Sequence, residues 1–148
     1  MGRLGQKTGA GWYRYAEGDR TPHPDPEVDQ VIREESEREG ITRRDFTDED
    51  IRRRILHPMI NEGMAILEEG IALRPLDIDL VEIHGYGFPR WRGGLMYHGD
   101  VIGAEALRDS LAALAEETGD AYAYRPQPLL DRLADRGAPI GSLNDGDA

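Results

Sequence analysis

The chain has 148 residues, a formal net charge of −11 and no cysteine. A length of this order suits one domain that buries roughly 70% of its unfolded surface. The acidity argues against a nucleic-acid partner, which needs a basic face for phosphates. The missing thiols exclude disulfides, thiolate zinc sites and cysteine nucleophiles, and fit a reducing, cytoplasmic setting.

Residues 2–15, GRLGQKTGAGWYRY, are glycine-rich and basic and end in three aromatics within four residues. Trp12, Tyr13 and Tyr15 suit a short extended piece laid on a core. Gly9-Ala10-Gly11 hints at a dinucleotide fingerprint, but the third glycine and a preceding strand are both missing. Gln6 stands where a myristoylation motif needs Ser or Thr. Residues 17–26, with Pro22, Pro24 and Pro26, read as a linker.

A first helix is expected from Pro26, capped by Asp25, with Val28, Val31 and Ile32 as its short apolar stripe and Gly40 as its stop. Thr47 and Asp50 form a capping box, with Phe46 and Ile51 placed as a hydrophobic staple. The helix they start, about Asp48 to Glu69, carries Ile51, Ile55, Leu56, Met59, Ile60, Ile66 and Leu67 at helical spacing. This is the expected spine of the core, bent at Pro58. Leu76 to His84 reads as a short helix after Pro75, despite its β-branched content. Leu95 to Asp100 adds a turn or two, and Ala104 to Thr118 a helix with Leu107, Leu111 and Leu114 spaced for burial. An aromatic connector through Tyr122 and Tyr124 leads to a last helix around Leu129, Leu130 and Leu133, stopped near Gly137. Residues 138–148 read as a disordered acidic tail. The expectation is an all-α domain of five or six helices with one core and no membrane span.

One stretch suits neither helix nor strand. Gly85-Tyr86-Gly87-Phe88-Pro89-Arg90-Trp91-Arg92-Gly93-Gly94 packs four glycines, a proline, three aromatics and two arginines into ten residues. Loops of this kind, held between helices, often carry function. Its candidate substrate or domain-interface residues are Tyr86, Phe88, Arg90, Trp91, Arg92, Gly93 and Gly94. Phe88 and Trp91 are expected to anchor the loop to neighbouring helices, while Arg90 and Arg92 reach a partner carboxylate or a phosphate. The histidines His23, His57, His84 and His98 lack the ligand types and spacing of a metal site. His84 and His98 flank the loop and are the acid–base candidates, but no nucleophile or cofactor motif stands beside them. The expectation is no catalytic residue, no metal and no cofactor site in this chain.

GRLGQKTGAGWYRY resembles the segment that closes the C-terminal helical domain of 3-hydroxyacyl-CoA dehydrogenases. IRRRILHPMINEGMAILEEGIALRPLDIDLVEIHGYGFPRWRGG is similar to the second, non-catalytic copy of that domain. Such a copy occurs in multifunctional β-oxidation proteins that fuse enoyl-CoA hydratase to the dehydrogenase. The resemblance runs from about residue 2 to Gly137. It implies a fold like the 6-phosphogluconate dehydrogenase C-terminal domain, with residues 1–16 closing a preceding copy and 27–137 forming the second. It further implies an NAD-dependent parent enzyme whose NAD domain, with its Ser and His–Glu pair, lies outside this chain. The catalytic copy carries an Asn on its opening helix; with that helix aligned on Pro58, the position falls at Arg53 here. The implied role is packing against the rest of the enzyme, support of the acyl-CoA cleft and homodimer contacts, with the isolated chain inactive. A stand-alone homodimerising module without CoA chemistry is the alternative.

Overall fold

A computed structural model describes residues 2–145. Six α-helices are present among them: α1 (Pro26–Arg38), α2 (Asp48–Glu68), α3 (Pro75–Val81), α4 (Leu95–Ile102), α5 (Ala104–Thr118) and α6 (Pro128–Arg136). Short 3-10 turns and one π turn complete them, and the described residues hold only isolated β-bridges, so the fold is all-α. The chain divides into two compact units, Met1–Asp45 and Phe46–Ala148. By its contacts α1 therefore groups with the N-terminal segment, although the sequence reading joined it to the helices that follow.

In the first unit, Asp25 caps α1 by accepting from the Glu27 amide at 3.1 Å, with Pro26 at the first helical position. Arg3 ties the N-terminal segment to this cap. Its guanidinium donates to Asp25, to Glu27 at 2.7 Å and to the Gly11 carbonyl at 3.0 Å. The guanidinium holds the Asp25 carboxyl below its ordinary pKa. No residue of α1 is buried. Trp12 and Tyr13, expected to lie on a core, are exposed (Trp12 to 74%), while Tyr15 is partly buried.

The second unit holds the main core. Thr47 and Asp50 form the expected capping box, each accepting from the other's backbone N–H at 3.1 and 3.2 Å. The apolar face of α2 is split by depth. Ile60 and Met64 are wholly buried, and Leu56, Met59, Ile66 and Leu67 pack around them. Ile51 and Ile55, expected on the same buried stripe, remain half exposed. The change falls at Pro58, which has no N–H to offer the ladder. Leu107, Leu111 and Leu114 of α5 and Leu130 of α6 close the core from the other side.

Two glycines set how closely α2 and α4 approach. A Cβ on Gly63 would lie 2.4 Å from Met96 Sδ, and one on Gly99 would lie 2.8 Å from Ile60. Each helix thus receives the other's large side chain, and both Met96 and Ile60 are completely buried. Full burial of such side chains contributes about 1.5–3 kcal/mol each.

Buried polar side chains fix the connections. Asn61 donates to the Arg125 carbonyl at 2.8 Å and accepts from the Gln127 amide at 2.9 Å, pinning the chain entering α6. Asp79 of α3 is 4% exposed and accepts from the Met96 and Tyr97 amides at 2.6 and 3.2 Å. It caps α4 from a different helix. Gly94, at φ 125°, leaves room for it, since a Cβ there would lie 2.3 Å from the Asp79 carboxyl carbon. Asp100 does the same at the C-terminal end, accepting from the Ile140 and Gly141 amides at 2.5 and 3.2 Å. Residues Ile140–Asp145 form a 3-10 segment with Ile140 and Leu143 buried. The expected disordered tail is thus ordered to Asp145, because two apolar residues and a carboxylate hold it; residues 146–148 lie outside the described residues.

Gly94→Ala should cost more than about 3 kcal/mol in thermal or urea unfolding, since it combines a disallowed φ with a clash. Asp79→Asn should cost less, about 1–2 kcal/mol, because one amide loses its acceptor. Asp100→Ala should accelerate amide exchange at Ile140 and Gly141 while α5 stays protected.

Candidate functional site

The candidate residues all lie between α3 and α4. After Val81 the backbone widens into a π turn, Glu82–Tyr86, ended by Gly87 at φ 76°. The Phe88 amide then donates back to the Glu82 carbonyl at 3.0 Å. Pro89 leads into a 3-10 turn, Arg90–Arg92, closed by Gly93, and Gly94 delivers the chain to α4. Three glycines with positive φ therefore fold ten residues into two consecutive tight turns, which a chain with side chains at those positions resists.

The aromatics divide. Phe88 is buried in the core, as expected. Trp91 is 78% exposed and Tyr86 79% exposed. Trp91 is therefore presented outward, contrary to the expectation that it anchors the loop inward; the buried anchor is Phe88 alone. Arg92 lies over the Trp91 ring, 4.4 Å from its centroid, and its Nη1 is 3.3 Å from His98 Nε2. Arg90 is exposed. Gly93 and Gly94 serve the backbone path: Gly94 admits Asp79, and a Cβ on Gly93 would meet the Tyr97 ring at 2.4 Å.

His84, in the π turn, is exposed, and His98 faces Arg92. Burial lowers the pKa of His57 on α2, and the charges of Arg53 and His98 lower it further. His57 Nδ1 lies 2.8 Å from the Ser110 hydroxyl of α5. Burial, then Arg92, also lower the His98 pKa. No group of three His, Asp or Glu able to hold a metal ion gathers among the described residues. Arg53, at the position where the resemblance places the catalytic copy's Asn, is bound to Glu117 of α5 at 2.5 Å. Arg54 shares that carboxylate at 2.6 Å.

Three missed features, Asp79, Ser110 and Glu117, act across long separations in the chain. Asp79 was legible only as an acid in a helical first turn; its target amides lie 17 and 18 residues ahead. Local patterns carry no signal for such pairings.

Exposed apolar side chains flank this loop in the chain. Leu76 and Leu80, four apart on α3, are 45% and 46% exposed. Tyr97 and Val101, four apart on α4, are 57% and 69% exposed. Residues so spaced share one helix face. No helix among the described residues is long and apolar enough to cross a membrane.

Residues 51–142, more than half of the chain, match the family described as 3-hydroxyacyl-CoA dehydrogenase, C-terminal domain. Over 94% of its length the chain is 42% identical to the peroxisomal bifunctional enzyme of Danio rerio, of which it covers 20%. It is 36% identical to the peroxisomal bifunctional enzyme of Homo sapiens, again over 94% of the chain and 19% of that protein. The peroxisomal fatty acid beta-oxidation multifunctional protein of Oryza sativa subsp. japonica is 35% identical over 97% of the chain and 20% of its own length. The chain thus spans about a fifth of the length of these curated relatives, and matches beyond the family boundary extend into the first unit. The chain belongs to the 3-hydroxyacyl-CoA dehydrogenase C-terminal domain family.

Proposed function

We propose that this chain is the accessory helical domain of an NAD-dependent 3-hydroxyacyl-CoA dehydrogenase acting in fatty-acid β-oxidation. In this reading residues 2–15 close a preceding copy of the domain, and the second unit docks on the rest of the enzyme. The carrying observation is the exposed apolar set on α3, the loop and α4, of which Trp91 is the largest member. Large apolar groups gathered on one part of a surface mark interaction sites. Trp, Tyr and Arg are the residues that most often carry binding energy there. The names of the relatives supply the chemistry, since they are β-oxidation multifunctional or bifunctional proteins.

Catalytic groups are assigned elsewhere in the enzyme. Arg53 stands where the resemblance expects Asn, and its guanidinium is engaged by Glu117. An acyl-CoA substrate would meet this domain at the edge of its cleft, where Arg90 offers a cation to the phosphates. Arg92 is less suited, being engaged with His98 and Trp91. Homodimer formation belongs to the same proposal. For the compartment the expectation stays cytoplasmic; the peroxisomal names belong to the relatives.

The purified chain should neither bind NAD nor oxidise a 3-hydroxyacyl-CoA, and it should bind the polypeptide carrying the NAD domain in titration calorimetry. Trp91→Ala should weaken that binding at least about tenfold, as loss of a central aromatic does, with unfolding midpoint unchanged. Turnover by the chain alone, or unchanged affinity of the Trp91 variant, would overturn the reading. Sedimentation separates self-association from docking: a stand-alone dimerising module forms a dimer that the NAD-domain polypeptide leaves intact.

A further inference from the structure

The side-chain contact between the loop and α4 has an unusual chemical requirement. An arginine guanidinium carries donors only and keeps its proton at every physiological pH. The 3.3 Å contact between Arg92 Nη1 and His98 Nε2 is therefore a hydrogen bond only when Nε2 offers its lone pair. His98 must then be neutral, with its single ring proton on Nδ1. A protonated His98 sets N–H against N–H and cation against cation.

We infer that His98 is a pH-operated latch on the loop: neutral, it accepts from Arg92 and holds the Arg92–Trp91 stack, and protonated, it releases both. The geometry confines the effect to this contact. The neighbouring His57–Ser110 pair survives protonation, because the hydroxyl accepts from an imidazolium as readily as it donates to an imidazole.

The surroundings set the sense of the switch. Burial and then Arg92 from the loop disfavour the charged form of His98, and Glu49 of α2 is the opposing carboxylate. His57 of α2 also becomes a cation in acid, so the two imidazoles compete. Two further carboxylates near this end are committed: Asp79 of α3 to the Met96 and Tyr97 amides, and Asp100 of α4 to the Ile140 and Gly141 amides. Arg53 of α2 is bound to Glu117 of α5. Glu49, the carboxylate that favours a charge on His98, is itself paired with Arg52 at 3.1 Å. Because the folded pKa of His98 lies below the ordinary 6.5, the unfolded chain binds more protons in the window between them. The latch's stabilisation is complete above 6.5 and is lost as pH falls through that window. This device goes beyond the domain's proposed role and stands whether or not the loop docks on a partner.

The test uses the chain itself, with Trp12→Phe so that Trp91 is the only indole. Nitrogen-15 spectra of the histidines at about pH 7.5, where histidine is ordinarily neutral, should show His98 as the Nδ1–H tautomer. An Nε2–H tautomer would overturn the latch without any mutation. Between about pH 8 and 5, the span over which histidine switches charge, Trp91 fluorescence should change with the His98 titration. His98→Gln, whose amide oxygen accepts from Arg92 at every pH, should abolish the transition, and His57→Gln should retain it. Arg92→Ala should raise the His98 midpoint toward the ordinary histidine value and also abolish the Trp91 response. A Trp91 transition that persists in His98→Gln would refute the proposal, whatever the outcome of the docking experiments.

Discussion

The second unit depends on one carboxylate placed at the start of a helix to which it does not belong. α4 begins directly after two glycines, and glycine brings no side chain to satisfy the first amides of a helix. Asp79 supplies that function from α3, at 2.6 and 3.2 Å. Burial raises its pKa, and the two amides pull the other way, so the cap works against a desolvation cost that only close contact offsets. The close contact requires Gly94. From this pair follow the seating of Met96 on Gly63, the approach of Ile60 to Gly99 and the placement of the loop before α4.

That dependence gives the glycine-rich loop a different meaning from a ligand cradle. Its glycines shape a path that brings α3 and α4 together, and its polar and aromatic groups are then carried at the rim. Phe88 faces inward and fastens the loop; Trp91 and Tyr86 face outward. The arrangement separates holding from presenting, which suits a surface that must be stiff before it meets another. The reading of the domain as an accessory part of a larger enzyme rests on this separation, together with the family to which the chain belongs.

The helices were legible because they are written locally. The Thr47–Asp50 box, Pro26, Pro75 and Pro128 at helix starts and Gly119 and Gly137 at helix ends are short-range signals, and α5 was expected over the span it occupies. The loop was legible as a non-helical, non-strand segment by composition. Its inner workings were not. Trp91 is expected as an inward anchor because aromatics favour burial, yet composition cannot say which aromatic of a loop faces the core, and here that one is Phe88. Ile51 and Ile55 carried the same helical spacing as Ile60, yet spacing cannot say how far the covering helices extend. The 140–145 segment was hidden by its polar composition, since only Ile140 and Leu143 are apolar and the Asp100 carboxylate that holds it lies 40 residues earlier.

Pro58 has a further effect on how this domain comes apart. Before it, α2 is held by its cap, by ion pairs, by the His57–Ser110 contact and by Leu56 at the core's edge, with Ile51 and Ile55 half exposed; beyond it, Ile60 and Met64 are sealed. A helix normally frays one rung at a time, each rung tugging on the next. Here the ladder lacks a rung at the boundary between the loosely and the tightly held halves. Unwinding that starts at the capped end runs out where the missing bond meets the buried side chains. The proline acts as a firebreak, letting the exposed half of α2 breathe while the core half stays closed.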